Sequence, residues 1–522
     1  MEILGCVDIS PTWILWISVL FLIYVYGKKR NRLFKDAGIP GPEPVIYIGN
    51  FHQIIQHGLD FDNKHFKQYG KVYGVFLGGL PMVSVLDPDI AREILIRDFQ
   101  HFTDRVILDL SNYPVNKSVL LEKGANWKRI RNIISPTFSA SKLRLMCDRI
   151  NQCADKLTTN FVKAAESNER IDVKGYFGAF TMDAIASTAF GIEVDSQSDF
   201  KNAFVEEAKK FFGQGILNPV MMIIMIFPAL TPFFRALGVS GFSKSTLKFF
   251  TKVLNEMIEQ RKTDLRNGKM KRQDFFQLLM DAEDDGTDEN PSPEWISKQK
   301  RDSQSGSQSK EMTNDEILGQ ALLFFIAGYE TTANTLHFVA YSLARNPDVQ
   351  QRLTEEVDSV LGDKTPDYDN IGGLKYMDHV IMETLRLYPA VTAATREATE
   401  TVTIKGYTFP KGCAVVVPAL GIHRDPDIYP DPHSFKPDRW ERKSEMDPMN
   451  YLPFGHGPRQ CLGMRLAQVE MKMALARILR QIQFVPAHDT LASIREVDVD
   501  VNTGIFNTKK PIMLRVQVRS DE

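Results

Sequence analysis

The chain has 522 residues, 43% of them hydrophobic and 25% charged, which is enough to bury a large globular core. Its 63 basic and 65 acidic residues leave a formal net charge of −2, so no strong overall field recruits nucleic acid. The odd number and scattered positions of the cysteines exclude a disulfide framework or a paired-cysteine metal site, and they indicate a reducing compartment for the main body. They are Cys6, Cys147, Cys153, Cys413 and Cys461.

The N-terminus is predicted to be a membrane anchor. Residues 9–26 carry no charge, and as a helix they span about 27 Å, close to the thickness of an endoplasmic reticulum bilayer. Acidic residues precede this segment and five basic residues follow it within residues 28–35, which favours a cytosolic body. The alternative, a cleaved signal peptide, lacks its basic start and its small-residue cleavage site. We therefore expect a single-pass anchor over residues 1–35 in the endoplasmic reticulum membrane and one catalytic domain over residues 36–522.

The body is predicted to be mainly α with small β-sheets, an α+β fold. Residues 71–86 have the pattern of a hairpin, and a second strand-rich segment covers residues 401–404 and 414–417. Helical patterns cover residues 130–150, 177–190, 243–265, 315–344 and 376–387. The polar segment 283–311 is expected to be a solvated loop. The apolar segment 219–227 is too short to span a bilayer, so it is either a core helix or a surface that dips into the membrane.

The segment 454–463, FGHGPRQCLG, has the composition of a loop that protects a reactive thiolate. Its glycines allow backbone N–H groups to approach the Cys461 sulfur, and the helix that starts at Met464 offers its positive end. A thiolate that binds iron needs such shielding from protons and oxidants. The alternatives are a structural cysteine, or His456 as the metal ligand, although His456 has no comparable shielding.

This decapeptide resembles the haem-binding signature F-x-x-G-x-R-x-C-x-G of cytochromes P-450 at every fixed position. The resemblance implies the P-450 fold, haem b with Cys461 as its proximal ligand, and a monooxygenase that inserts one oxygen of O₂ into an apolar substrate. Thiolate ligation in this family favours cleavage of the O–O bond. The segments AGYETT at 327–332 and GPR at 457–459 are similar to the family 3 group, which oxidises steroids and drugs.

Residues 315–344 are apolar almost all round, which predicts a fully buried helix. Thr313 and Glu316 predict a capping box at its start, and Gly328 is expected to weaken or kink its middle. Beside this glycine stand an acid and two hydroxyls. We expect Thr331 to hold an oxygen and a water, and Glu330 to be the proton source. The alternative is that the Thr331 hydroxyl only bonds the carbonyl four residues earlier.

Two arginine motifs are assigned a structural role. Glu383 and Arg386 share one helix face. Residues 435–440, FKPDRW, resemble the family's second arginine motif, with Asp438 and Trp440 where Glu and Phe are commoner. The resemblance implies that Glu383, Arg386 and Arg439 interlock beneath the haem.

Five side chains are candidate donors to the two haem propionates. Trp127 and Arg131 lie four residues apart on one helix face, and both are suitable donors to a buried carboxylate. The resemblance adds Arg105 and Arg396, and Arg459 of the cysteine loop is the fifth. It also implies a substrate pocket of mostly small or apolar residues, so the substrate is expected to be a steroid, a fatty acid or a xenobiotic. The pocket residues are Leu323, Ile326, Ala327, Val391, Thr392, Ala393, Ala394 and Ile505.

The sequence contains no motif for binding flavin or nicotinamide, so electrons are expected from a separate NADPH-dependent flavoprotein reductase. Candidate docking contacts for it are Lys128, Arg129, Arg465 and Lys472. Two other functions remain open: a haem-thiolate isomerase or dehydratase of peroxides, which needs no reductase, and a non-enzymatic haem-binding sensor. The intact pair Glu330 and Thr331 argues against both.

Overall fold

Helices form most of the fold, and the strands make small sheets, as the sequence predicts. The computed structural model describes residues 11–106, 110, 112–212, 218–269, 274–282, 311–487, 499–500 and 505–519. The predicted loop 283–311 lies outside the described residues except for Glu311. In the first half of the chain the helices are α1 (Pro11–Asn31), α2 (Leu33–Asp36), α3 (Phe51–His57), α4 (Phe61–Tyr69), α5 (Pro88–Arg92), α6 (Gly124–Ile134), α7 (Ala140–Ser167), α8 (Val173–Ala189), α9 (Ala203–Phe212), α10 (Pro219–Ile226), α11 (Thr231–Ala236) and α12 (Lys244–Arg266). The later helices are α13 (Phe275–Met280), α14 (Asn314–Arg345), α15 (Pro347–Leu361), α16 (Lys375–Leu387), α17 (Ala419–His423) and α18 (Met464–Ile478).

The described strands are β1 (Val72–Leu77), β2 (Leu80–Val85), β3 (Ile171–Asp172), β4 (Ala394–Glu397), β5 (Val402–Ile404), β6 (Tyr407–Phe409), β7 (Ala414–Val417), β8 (Ile482–Pro486), β9 (Val499–Asp500), β10 (Asn507–Thr508) and β11 (Met513–Val518). The largest sheet within the described residues has the strand order β1-β2-β7-β4. The predicted hairpin forms its β1–β2 pair, and β7 joins β2 in parallel. The second strand-rich segment divides, because β5 pairs with β6 in a separate hairpin while β7 enters the large sheet.

Helix α14 runs through the centre of the molecule and packs most extensively against α8. The predicted capping box is present: the Thr313 hydroxyl accepts from the Glu316 N–H, and the Glu316 carboxylate accepts from the Thr313 N–H. The helix continues through Gly328, where a Cβ would lie 2.9 Å from Ile185 of α8. This glycine therefore allows the two helices to approach closely.

The prediction of one helix over residues 130–150 is wrong, because the structure has two helices there. Helix α6 ends at Ile134, a 3-10 turn covers Ser135–Phe138, and α7 begins at Ala140. Proline at position 136 lacks an N–H and restricts the residue before it, so the first helix cannot continue. Ser139 then takes an extended conformation with φ −68° and ψ 154°.

The short apolar helix α10 lies on the surface, so its interpretation as a core helix is wrong. Ile224 is the buried residue of this helix. Backbone contact holds α10 against the turn between β1 and β2, where the Gly79 N–H donates to the Met225 carbonyl at 2.6 Å. The apolar side chains beyond it in the chain, including Phe233 and Leu237, are also exposed. The exposed side chains of α10 and of the segment after it therefore form a second apolar surface, in addition to that of the N-terminal helix.

Among the described residues, one unbroken helix, α1, is long and apolar enough to cross a membrane. Its side chains are exposed, and its C-terminal end contacts the globule. Arg30 Nη2 donates to the Gly78 carbonyl at 3.4 Å, and the Arg30 guanidinium lies over the Tyr47 ring. Three residues after α1 ends, Phe34 is 4% exposed, with its ring 4.9 Å from that of Phe76. The hydrophobic core of the globule therefore begins at Phe34, inside the segment assigned to the anchor.

The two arginine motifs interlock around a fully buried carboxylate, that of Glu383. Arg386 binds it through two N–H groups at 2.8 and 2.9 Å, and Arg439 Nε donates at 3.0 Å. Trp440, which replaces the usual phenylalanine, adds an indole N–H at 3.0 Å. Glu383 and Arg386 have no exposed surface, so each charge is compensated only within this cluster.

Replacing Arg386 by Ala should leave Glu383 buried and undercompensated, at a cost of about 3–5 kcal/mol in the free energy of unfolding. We expect little folded protein, measured as soluble yield and by urea unfolding of what remains. The matched control is Arg352→Ala, since Arg352 pairs with Asp438 at 2.6 Å on the surface. An exposed pair contributes about 0–1 kcal/mol, so this variant should fold normally. Equal stability of the two variants would contradict the structural role of Glu383.

Deleting residues 1–31 should release much of the protein from membranes and leave the stability of the globule almost unchanged. Deleting residues 1–35 should cost a further ~3–5 kcal/mol, because it also removes the buried ring of Phe34. The comparison is made by urea unfolding, with the full-length variant Phe34→Ala as the control for the lost ring. If both deletions are equally stable, Phe34 is not part of the core.

Candidate active site

Residue Cys461 lies deep in the molecule and yet keeps accessible surface. The surrounding protein desolvates it enough to raise the pKa of its thiol, while the residue itself is exposed. A deep residue with accessible surface faces an internal cavity. The loop before it is fixed by the Cys461 N–H, which donates to the Phe454 carbonyl at 2.9 Å. The predicted loop therefore presents its sulfur to an open space inside the fold.

Backbone N–H groups and nearby arginines make the environment of the Cys461 sulfur polar and positive. The backbone N–H groups of Gly463 and Met464 bond the sulfur, and the charges of Arg131 and Arg105 act in the same direction, lowering the pKa against the effect of burial. Gly457 has φ +78°, and a Cβ there would overlap the carbonyl oxygen of Leu95. The glycine thus lets the loop press against the neighbouring segment. These groups favour an anionic sulfur once a cation binds it.

One face of α14 opens to the same interior. Ala327 is exposed, and Thr331, four residues later, is half-buried. The residue before each of them, Ile326 and Glu330, is buried. A four-residue spacing puts Ala327 and Thr331 on one helix face. Leu462, the neighbour of Cys461, packs against the apolar cluster that contains Ile326. The accessible face of α14 and the sulfur are thereby brought to one region.

The other predicted pocket residues differ in accessibility. Leu323 and the segment 392–394 are half-buried, and Val391 is exposed. Val391 forms a β-bridge with Ile505, which joins the end of the chain to this segment. Ile326 is only 2% exposed, so its side chain belongs to the apolar cluster and offers little surface to a ligand.

The acid and the alcohol on α14 both have protein partners. Glu330 Oε1 lies 2.7 Å from Lys174 Nζ, and the same amine donates to Asn507 Oδ1 at 3.0 Å. The Thr331 hydroxyl donates to the Ala327 carbonyl at 2.8 Å, the back-bonding alternative considered for it. The hydroxyl oxygen can still accept a hydrogen bond, but the hydroxyl must leave this carbonyl before it can donate to a ligand. Lys174 and Asn507 were not predicted, since each is distant in sequence and carries no motif.

Four of the candidate propionate donors form a buried positive cluster. Burial and the nearby Arg105 lower the pKa of Arg396 to about 9, and the same two causes lower that of Arg459 to about 9. Arg131 also acts on Arg459 and Arg105. Asp104, 3.6 Å from Arg459, compensates only part of this charge. The cluster is therefore suited to a buried anion.

Two N–H groups, one in this cluster and one on the neighbouring Trp127, lack a partner within the described part of the chain. They are Trp127 Nε1 and Arg396 Nε, both buried. Arg459 is differently placed, because it donates to three backbone carbonyls, those of Thr103, Val119 and Glu122, and stacks on the Trp127 ring at 4.1 Å. Orphan donors next to uncompensated positive charge fit the carboxylates of a haem, whose iron the Cys461 sulfur would meet.

Two of the four predicted docking residues are already engaged, which corrects that expectation. Lys472 is buried, and its amine bonds Asp378 at 2.8 Å. Arg129 bonds the Glu316 carboxylate at the start of α14. Lys128 and Arg465 are exposed. The sequence shows that these residues are basic, but whether their charge is free depends on contacts with distant segments.

Comparisons with known proteins identify the family of the chain. The family model for cytochrome P450 matches residues 39–516. Cytochrome P450 3A5 of Homo sapiens is 38% identical over 512 residues, which cover 97% of each chain. Cytochrome P450 3A29 of Sus scrofa is 38% identical over 98% of this chain and 97% of its own, and cytochrome P450 3A12 of Canis lupus familiaris is 36% identical over the same shares.

The predicted resemblance to the family and to its family 3 group is therefore confirmed, and the isomerase and sensor alternatives gain no support. The chain belongs to the cytochrome P450 family and is a haem-thiolate monooxygenase, which uses haem b, O₂ and electrons that a redox partner delivers from NADPH.

Proposed function

We propose that the Cys461 thiolate would bind the haem iron and that Thr331 and Glu330 would serve the proton transfers of the reaction. Haem, when bound, supplies the iron on which O₂ is reduced and its bond split. The observation that carries the assignment is the pair of accessible surfaces deep in the fold, at Cys461 and along Ala327 and Thr331. The space between the Cys461 thiolate and the accessible face of α14 is where an oxygen and an apolar substrate would meet.

Proton supply falls to the side chains of α14. The Thr331 hydroxyl would release the Ala327 carbonyl, turn into the cavity and hold a water there, as its accessible surface allows. Glu330 is the proton source behind it, tied to solvent through Lys174, whose side chain is 23% exposed. A positioned group of this kind contributes about 10²–10⁴-fold to a proton-transfer step.

The propionates are assigned to Trp127, Arg131, Arg396 and Arg105. The unpartnered N–H groups of Trp127 and Arg396 support the assignment, as does the charge of the two other arginines near the sulfur. Arg459 is the spare member of the five, because backbone carbonyls already accept from each of its three nitrogens. Its part is to brace the cysteine loop and to keep the cluster positive.

The substrate is an apolar molecule, and we propose the class of steroids, fatty acids or xenobiotics. The small side chains of Ala327, Ala393 and Ala394 leave room for a bulky molecule. The remaining proposed pocket residues are Leu323, Val391, Thr392 and Ile505, without Ile326, which is buried in the apolar cluster. The hydrophobic lining offers few polar groups that would select one substrate over another.

We propose that the chain is anchored in the endoplasmic reticulum membrane by the segment that ends with α1, with a single catalytic domain on the cytosolic face whose core begins at Phe34, two residues before the predicted start at residue 36. The basic residues after α1 favour this orientation. The exposed apolar helices α10 and α11 would add lipid contact beside the anchor. An NADPH-dependent flavoprotein reductase is the proposed electron donor, with Lys128 and Arg465 as docking charges.

Replacing Thr331 by Ala should lower product formed per NADPH about tenfold and raise hydrogen peroxide released per NADPH, because protons reach the wrong oxygen and water substitutes only in part. Product formed, hydrogen peroxide released and NADPH consumed are measured in one assay, which contains purified reductase and a steroid that the wild type oxidises. Thr335→Ala is the matched control, since its hydroxyl makes the same back-bond at 2.9 Å but is buried. Unchanged coupling in Thr331→Ala would make Thr331 a packing residue.

A further inference from the structure

The globule covers one face of helix α1 near the C-terminal end of that helix. Gly27 is buried there, and Arg30 and Asn31 are half-buried. These residues stand at i, i+3 and i+4, so their directions fall within about 100° around the helix axis. The two lysines between Gly27 and Arg30 are exposed. The end of the helix therefore has a covered face, formed by Gly27, Arg30 and Asn31, and an exposed face that carries positive charge.

Gly27 lets the backbone of α1 touch the segment that precedes α3. A Cβ at this position would lie 2.6 Å from Ile46 Cγ2 and 3.0 Å from the Tyr47 ring, so a larger residue would push the helix away. The Tyr47 hydroxyl donates to the Ile23 carbonyl, one turn earlier on α1. Glycine within a helix is destabilising by about 0.5–1 kcal/mol relative to alanine, so its place at the point of contact fits a packing requirement.

The other two residues of the covered face bond to two separate parts of the globule. Asn31 Nδ2 donates to the Pro44 carbonyl at 3.1 Å, and Arg30 Nη2 donates to the Gly78 carbonyl at 3.4 Å. The Arg30 guanidinium also lies 5.3 Å from the centre of the Tyr47 ring. A cation over an aromatic ring contributes about 0.5–1 kcal/mol at an exposed site. Side chains therefore attach α1 to the globule at several points outside the covalent connection.

The same tyrosine and the same turn of the globule also contact α10. The Tyr47 ring lies 5.6 Å from the ring of Phe227, which directly follows α10. The Gly79 N–H donates to the Met225 carbonyl at 2.6 Å. The turn between β1 and β2 therefore contacts the end of α1 on one side and the end of α10 on the other.

We propose that the covered face of α1 docks on the globule, so that the anchor holds α10 and α11 at a fixed position at the membrane surface. The proposal rests on the proposed anchoring of the chain by α1, and it adds what sets the tilt of the globule. Without the docking, only residues 32–33 would connect α1 to the buried Phe34, and the globule could turn about them. With it, the exposed apolar side chains of α10 and α11 stay beside the anchor, where lipid covers them.

Cross-linking in the full-length holoenzyme, reconstituted in phospholipid vesicles, tests the docking. Gly27→Cys is combined with Ile46→Cys, since loss of the Ile46 side chain makes room for the new Cβ. Lys29→Cys combined with Ile46→Cys is the matched control, because position 29 lies only about 3 Å further along the helix but about 160° around it. After mild oxidation, the fraction of the thiol at position 46 that resists alkylation is measured by mass spectrometry.

We expect the pair at positions 27 and 46 to cross-link about tenfold more than the control pair, because a disulfide needs Cβ atoms about 3.5–4.5 Å apart. Equal cross-linking of the two pairs would mean that α1 turns freely beside the globule, and the docking would be overturned. The anchoring fails in a different way. If an alkaline wash removes the wild-type chain from the vesicles, α1 is not an anchor, whichever pair cross-links.

Gly27→Leu tests the consequence for α10 and α11. Leucine suits an apolar helix, so membrane insertion should persist, but its side chain would overlap Ile46 and Tyr47. We expect the backbone amides of residues 219–236 to exchange with deuterium roughly tenfold faster in vesicles, because lipid no longer covers them. Val25→Leu, on the opposite and exposed face of α1, should leave the exchange unchanged. Equal exchange in Gly27→Leu and the wild type would contradict the proposal.

Discussion

The buried carboxylate of Glu383 is the contact on which the position of the reactive sulfur depends. Its N–H donors come from Arg386, Arg439, Trp440 and the backbone of Lys436. Arg386 also donates to the His423 carbonyl at 2.8 Å, and the His423 ring accepts from the Leu452 N–H at 2.9 Å. Leu452 leads directly into the loop that presents Cys461. A charge buried this deeply is stable only with all its partners, so the same cluster that fixes the loop is intolerant of change.

Helix α14 contributes both accessible surface and a buried acid to the site. Ala327 and Thr331 have accessible surface toward the interior, while Glu330, the residue before Thr331, is buried and paired with Lys174 of α8. Close packing of α8, permitted by Gly328, sets the distance at which Lys174 reaches the acid. The accessible surface suits oxygen and an apolar substrate, whereas the buried acid suits proton transfer.

Local signals predicted the fold class, the capping box at Thr313 and the shared helix face of Glu383 and Arg386, because these depend on residues close in sequence. The interlock with Arg439, 56 residues away, was expected only from the resemblance to the family. The break at residue 136 was also visible in the sequence as a proline, but the apolar periodicity around it outweighed that signal. The ion pair of Lys174 with Glu330 joins residues 156 positions apart. No local pattern encodes such a contact, and the same is true of the buried ring of Phe34 and of the engaged amine of Lys472.

The central claim is that Cys461 provides the thiolate ligand to the haem iron. The most direct test is the absorption spectrum of the ferrous, CO-bound protein, recorded for the wild type, Cys461→Ala and His456→Ala. We predict the red-shifted band of thiolate ligation in the wild type and in His456→Ala, and its loss in Cys461→Ala. Persistence of that band in Cys461→Ala, or its loss in His456→Ala with the haem still bound, would contradict the account.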